Sequence, residues 1–254
     1  MKAKDIAAVI ERFAPLDTQE KWDNAGLCIG SPEQEVHGVL VGFDCTPELV
    51  SEAIERGLDM IVTHHPLIFG GVSKIDPDTF TGRAITLAVR HGIAVYAAHT
   101  NADKARGGVT ELMAARLGLK DMEPLVESCL AQVGWLEQPL SGERFVALVK
   151  ERFGLRALRC SDPTGITVRK VGLCGGSGSE FIADALAAGA DAYVTGDISY
   201  HRFFCDPGFM VLDIGHYESE VEIVNALFSL LKENLHNFAL CTSHKKEHNP
   251  IHYY

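Results

Sequence analysis

The feature that most limits what this chain can fold into is a series of short apolar runs, each ending abruptly in polar residues. Leu58–Thr63, Ile93–Ala98, Val168–Cys174, Ala190–Val194 and Phe209–Ile214 are too short for helices. They read as strands buried on both faces. Amphipathic segments lie between them. Thr46 can cap a helix, with Pro47 in its first turn and Leu49, Val50 and Ile54 as its apolar stripe, and Gly57 closes it. Ile6, Val9, Ile10 and Phe13 mark an opening helix stopped by Pro15, and further helices are expected over Ile85–His91, Val109–Leu117 and Phe145–Phe153. Strand and helix in alternation define an α/β chain whose strand ends face one site.

What stands at those strand ends is chemically specific. Thr63-His64-His65-Pro66 follows the first run, His99-Thr100-Asn101-Ala102-Asp103 the second, and Gly215-His216-Tyr217-Glu218-Ser219-Glu220 the last. Pro66 restricts His65 to extended angles. Adjacent side chains on an extended backbone diverge, so His64 and His65 suit two neighbouring ions better than one. His216 and Glu220 are four residues apart, on one face of the helix expected to run to about Leu231. Each residue also has a plain reading: histidines in a surface turn, an aspartate capping the turn before Gly107-Gly108, a solvated helix face. Taken together, three imidazoles (His64, His65, His216) and two carboxylates (Asp103, Glu220) exceed the needs of one structural zinc. They suit two divalent ions sharing a carboxylate, with zinc, manganese, iron or cobalt compatible with a set that lacks thiolate. His99 and His201 stand at strand ends without being needed as ligands. They are candidate catalytic acids, His201 first and His99 second.

Two segments are ambiguous. Gly175-Gly176-Ser177-Gly178-Ser179, between a strand and a helix, is either a phosphate cradle or a plain tight turn, and it lacks both the Walker ending and the dinucleotide spacing. Trp22-Asp23-Asn24-Ala25-Gly26-Leu27 reads as a loop with one packed tryptophan. The tail from Cys241 to Tyr254, with His244, His248 and His252, reads as a polar surface segment.

Composition excludes several classes. The 254 residues can bury one large or two small cores, and the pattern resets near Glu123–Ser128, which divides the chain into lobes 1–125 and 126–254. A net charge of −11 argues against nucleic acid as a partner. Seven cysteines stand singly at 28, 45, 129, 160, 174, 205 and 241, which suits reduced thiols in a cytoplasm rather than a disulfide framework. No apolar run approaches a membrane span.

The motifs above, with Thr195-Gly196-Asp197 through His201, occur in the order shown by a known family. The chain resembles the dinuclear-metal-centre family related to the yeast NGG-one-interacting factor three, whose members are also labelled GTP cyclohydrolase 1 type 2 homologues. The resemblance covers nearly the whole chain. It implies two intertwined, similar three-layer α/β lobes with the metal site in the cleft between them, and a ring-shaped homohexamer. It also implies two divalent ions on His64, His65, Asp103, His216 and Glu220, with His99 and His201 lining the same cavity. A metal-dependent hydrolase of a nucleotide-like small molecule is the activity implied by the family label. A metal storage or delivery protein and a metal-stabilised interaction scaffold are the alternatives. Ala102 is smaller than the residue usual before the aspartate, and the domain that longer members insert between the halves is missing.

Overall fold

A computed structural model of the chain describes residues 1–243 and 249–252, so His244 and His248 lie outside the described residues while His252 is exposed. The opening pattern forms α1 (Ala3–Phe13), with Ile6, Val9 and Ile10 buried. After β1 (Gly26–Ile29) and β2 (Gly38–Gly42) comes α2 (Pro47–Glu55), whose cap Thr46 accepts a hydrogen bond from the Leu49 amide at 3.1 Å. Then follow β3 (Met60–Thr63), α3 (Phe80–Arg90), β4 (Ala94–Ala97) and the short α4 (Thr100–Lys104). The middle of the chain supplies α5 (Val109–Leu117), β5 (Lys120–Pro124), β6 (Gln132–Ser141), α6 (Gly142–Phe153), β7 (Arg159–Cys160) and β8 (Thr167–Leu173). It continues through α7 (Ile182–Ala187), β9 (Ala192–Thr195), β10 (Met210–Asp213) and α8 (His216–Glu220), and the chain then forms α9 (Ile223–Asn234) and β11 (Ala239–Thr242).

The chain forms two compact α/β units, and the division is discontinuous. Met1–Ala105 groups with the described residues from Ile223 to Pro250, and Arg106–Glu222 with Ile251 and His252. The boundary therefore falls after Ala105 and again after Glu222, where the sequence pattern placed a single one near 125. The reason is pairing: β11 lies parallel beside β2, and α9 packs on α1, so the late segment completes the first sheet. The helix expected to run from His216 to Leu231 is accordingly two, α8 and α9, broken at the point of passage between units.

In the first unit the strand order is β1-β4-β3-β2-β11, with β1 antiparallel and the others parallel. Leu40, Ile61 and Val95 are aligned across neighbouring strands and share one face with Leu49 and Val50 of α2 and Ala84 and Ala88 of α3. Val41, Val62 and Tyr96 point the other way, and the Tyr96 hydroxyl donates to Glu11 of α1. This is a three-layer sandwich, and the strand termini that carry His64 and His99 lie side by side because Thr63 pairs with Ala97.

The second unit has the order β5-β6-β8-β9-β10-β7. Its parallel core is β8-β9-β10, and β5, β6 and β7 are antiparallel additions. Helices α5 and α6 pack together against β6 and β8, and Ala185 of α7 joins Tyr193 and Val211 in a buried cluster.

Candidate metal centre

In the first unit, β3 delivers His64 into a fully buried position. Its Nδ1 faces the Ala98 carbonyl at 2.8 Å, and a carbonyl only accepts, so Nδ1 carries the proton. Nε2 is thereby left with its lone pair, 3.4 Å from Asp103 Oδ1. The next residue turns elsewhere: His65 Nδ1 donates to Asp44 Oδ1 at 2.7 Å, and Asp44 lies just past the end of β2. Phe43 stacks on His64 with centroids 5.7 Å apart and also touches His65, filling the apolar side of both rings. His99 opens α4, and its Nδ1 donates to Asp23 Oδ1 at 2.7 Å. Nitrogen atoms of His64, His65 and His99 lie within 4.8 Å of one another.

Asp23, in the loop that follows Trp22, is the partner of His99. The same carboxylate accepts hydrogen bonds from the Thr100 amide and hydroxyl. Burial pushes the carboxyl up, but the hydrogen bonds from His99 and Thr100 outweigh it and hold it down at about 2, against an ordinary 3.8. Because the folded value is depressed, the unfolded chain takes up the proton first. The stabilisation is complete above the ordinary value and is lost as pH falls from about 4 through 2. In metal-free protein, Asp23→Asn is expected to cost about 2 kcal/mol near neutrality, a cost that shrinks over that acid range. Urea unfolding at a series of pH values checks this; a cost independent of pH contradicts it.

In the second unit, β10 ends at Asp213, and Gly215 makes the turn into α8 with a positive φ of 91°. His216 Nδ1 donates to Asp197 Oδ2 at 2.8 Å, and its Nε2 lies 3.0 Å from Oε2 of the buried Glu220. One carboxylate braces the two loops involved. Asp213 accepts the Gly215 amide on Oδ1, and on Oδ2 it accepts the Ile198 amide and the Arg159 guanidinium. Asp197 and His216 are thus tied to the same anchor from both sides.

The glycine-rich turn takes the tight-turn reading. The Gly176 amide donates to Ser219 Oγ and the Gly178 amide to Thr195 Oγ1, so these two N–H groups are committed within the protein. A Cβ on Gly176 would lie 2.4 Å from Glu220 Oε1, and one on Gly175 would lie 3.2 Å from the same atom. The glycines are seats for the carboxylate.

His64, His65 and His216 therefore share one arrangement: Nδ1 is held as a donor by a carbonyl or carboxylate, so Nε2 is the ring atom a metal would take. That outer bond fixes the tautomer and ring direction a metal needs, so the residues present fit divalent ions. His201 is placed differently. It sits on the exposed turn Tyr200–Phe203 with its ring against Tyr200 and Phe204, and among the described residues it joins no donor group close enough to share an ion. Asp44 and Asp197 are likewise orienting groups, and in the sequence each shows only that it follows an apolar strand.

Two α/β units whose strand ends carry oriented imidazoles and carboxylates define an α/β protein with groups able to hold metal. The chain belongs to the Duf34/NIF3 (NGG1p interacting factor 3) family, whose profile matches residues 1–250. A Clostridium perfringens protein named GTP cyclohydrolase 1 type 2 homolog is 35% identical over 243 residues, covering 92% of this chain and 93% of its own. Among solved structures, a Staphylococcus aureus protein matches with TM-score 0.88 at 28% identity, over 100% of this chain and 99% of that one. Reduced HcgD from Methanocaldococcus jannaschii matches with TM-score 0.84 at 27% identity, over 95% and 97%. Among the described residues no helix is long and apolar enough to cross a membrane.

Proposed function

We propose that the protein is a dinuclear metal-dependent hydrolase acting on a purine nucleotide or a similar small heteroaromatic substrate. His64, His65, Asp103, His216 and Glu220 are its ligands. The observation that carries this reading is the shared anchoring of the three ligand imidazoles through Nδ1, to Ala98, Asp44 and Asp197. Structural histidines seldom need one tautomer three times over, whereas ligands do. The name borne by the Clostridium perfringens relative supports the substrate class.

When bound, two divalent ions would supply Lewis acidity and a water acidified toward neutrality. The chain's own residues do the rest. Phe43 shields the ligand rings of the first unit from water on one side. His99, whose Nδ1–H is held by the buried Asp23 carboxylate, has its ring 5.3 Å from those of both His64 and His65. With Nδ1 committed to Asp23, Nε2 is the ring atom through which a proton would pass to a leaving group. Hydrolysis of a purine imidazole ring breaks a C–N bond at the carbon between two nitrogens, and the expelled nitrogen is the atom His99 would protonate. His201 is the second candidate for that role.

The test is elemental analysis followed by a nucleotide panel. Two divalent ions per chain and turnover of at least one purine nucleotide are expected. A single ion per chain, or no turnover of any panel member by metal-loaded protein, would end this reading in favour of metal handling without catalysis.

A further inference from the structure

Two large aromatic side chains stand exposed beside His99. Trp22 is 56% exposed and Phe69 57%. Their centroids are 5.7 Å apart with planes tilted by 54°, and each lies 6.1 Å from the His99 ring, which meets both edge-on. Rings of this size normally go into a core, and an exposed pair calls for a partner. These two are also held in place by polar bonds. The Asn24 side-chain amide donates to the Ile68 carbonyl at 2.7 Å, joining the Trp22 loop to the Phe69 loop. The Asn24 backbone amide donates to Asp23 Oδ1, the atom that also accepts from His99. The aromatic corner is therefore fixed relative to the imidazole it borders.

We propose that Trp22 and Phe69 form a stacking wall for the planar base of the substrate, a site for a flat heteroaromatic ring. The proposal rests on the nucleotide-hydrolase reading for the base's identity. The rings are too close and too tilted to sandwich a base between them, so the base lies on the open indole face with one edge turned to His99. Stacking on an aromatic side chain holds any base by its π-face, whereas sugar and phosphate gain nothing there.

The chain has two tryptophans, so Trp135→Phe leaves Trp22 as the one indole reporter. In that background guanosine and GMP are expected to quench its emission saturably, and ribose 5-phosphate is expected not to. By calorimetry, Trp22→Leu should weaken GMP binding roughly 5- to 150-fold at unchanged metal content, while Trp22→Phe stays within a few-fold. An unchanged GMP dissociation constant in Trp22→Leu overturns the proposal. So does quenching by ribose 5-phosphate equal to that by GMP, or a Trp22→Leu effect confined to the oligomeric state, which would mean that a second copy covers the wall. Saturable guanosine quenching without turnover of any nucleotide keeps the wall and removes the hydrolase reading.

Discussion

Replacing Glu220 with alanine is expected to strip most of both ions from the protein. The carboxylate is only 4% exposed and is seated against Gly175 and Gly176, with Oε2 3.0 Å from His216 Nε2. It has no room to be replaced by a neighbouring side chain, and an alanine there leaves His216 without its carboxylate companion. If Glu220 were the carboxylate that two ions share, its loss would act on both at once. It should exceed the roughly 10–100-fold cost in affinity that follows removal of an orienting partner alone. Asp197→Ala supplies that graded comparison, because Asp197 holds His216 through Nδ1 without being a ligand. Elemental analysis after gel filtration, with circular dichroism to confirm the fold, reads the result. Undiminished metal in a folded Glu220→Ala protein sinks the dinuclear assignment. Global unfolding on metal loss would favour a scaffold whose metals serve stability.

His99→Ala is expected to keep its metals and lose on the order of 10²–10⁴ in turnover, the usual cost of removing a general acid. His201→Ala is the control. The sequence alone ranks His201 ahead of His99, since both follow buried strands. Their surroundings argue for the reverse order: His99 touches the rings of His64 and His65 and has a buried carboxylate behind it, whereas His201 lies exposed between Tyr200 and Phe204. Single-turnover rates for both variants at matched metal content separate them. Wild-type rates in His99→Ala, or a loss in His201→Ala alone, would return the role to His201.

The buried parallel strands were readable because each is a continuous apolar run, and His64 and His99 follow the ends of two of them. β6 was not readable: Gln132–Ser141 contains Gly134 and Pro139 and several polar residues, so neither alternation nor continuity marks it. β5 is an exposed edge of Lys120, Asp121, Met122, Glu123 and Pro124, whose composition is that of a loop. The discontinuous first unit was hidden for a different reason. No local pattern says that β11 belongs beside β2, because parallel pairing over such a distance leaves no trace in either segment. Among candidate site residues, imidazoles at strand ends stand out by type, while the groups that orient them do not. Asp23, Asp44 and Asp197 are ordinary loop aspartates until the imidazole each one holds is in view.

The return of the chain to its first sheet has a consequence during synthesis. β2 is entirely buried, and its outer edge is covered only once Ala239–Thr242 has been made. At about 5–20 residues per second the ribosome needs on the order of ten seconds to pass from Ala105 to β11. For that interval the nascent first unit holds three parallel strands and an antiparallel one with an open edge beside Gly38–Gly42. An uncovered apolar edge is a template for pairing with other chains. The unit that carries three histidines of the candidate site thus begins to be translated first and waits for β11 to cover its edge, so aggregation is expected to be worst under crowded expression at elevated temperature.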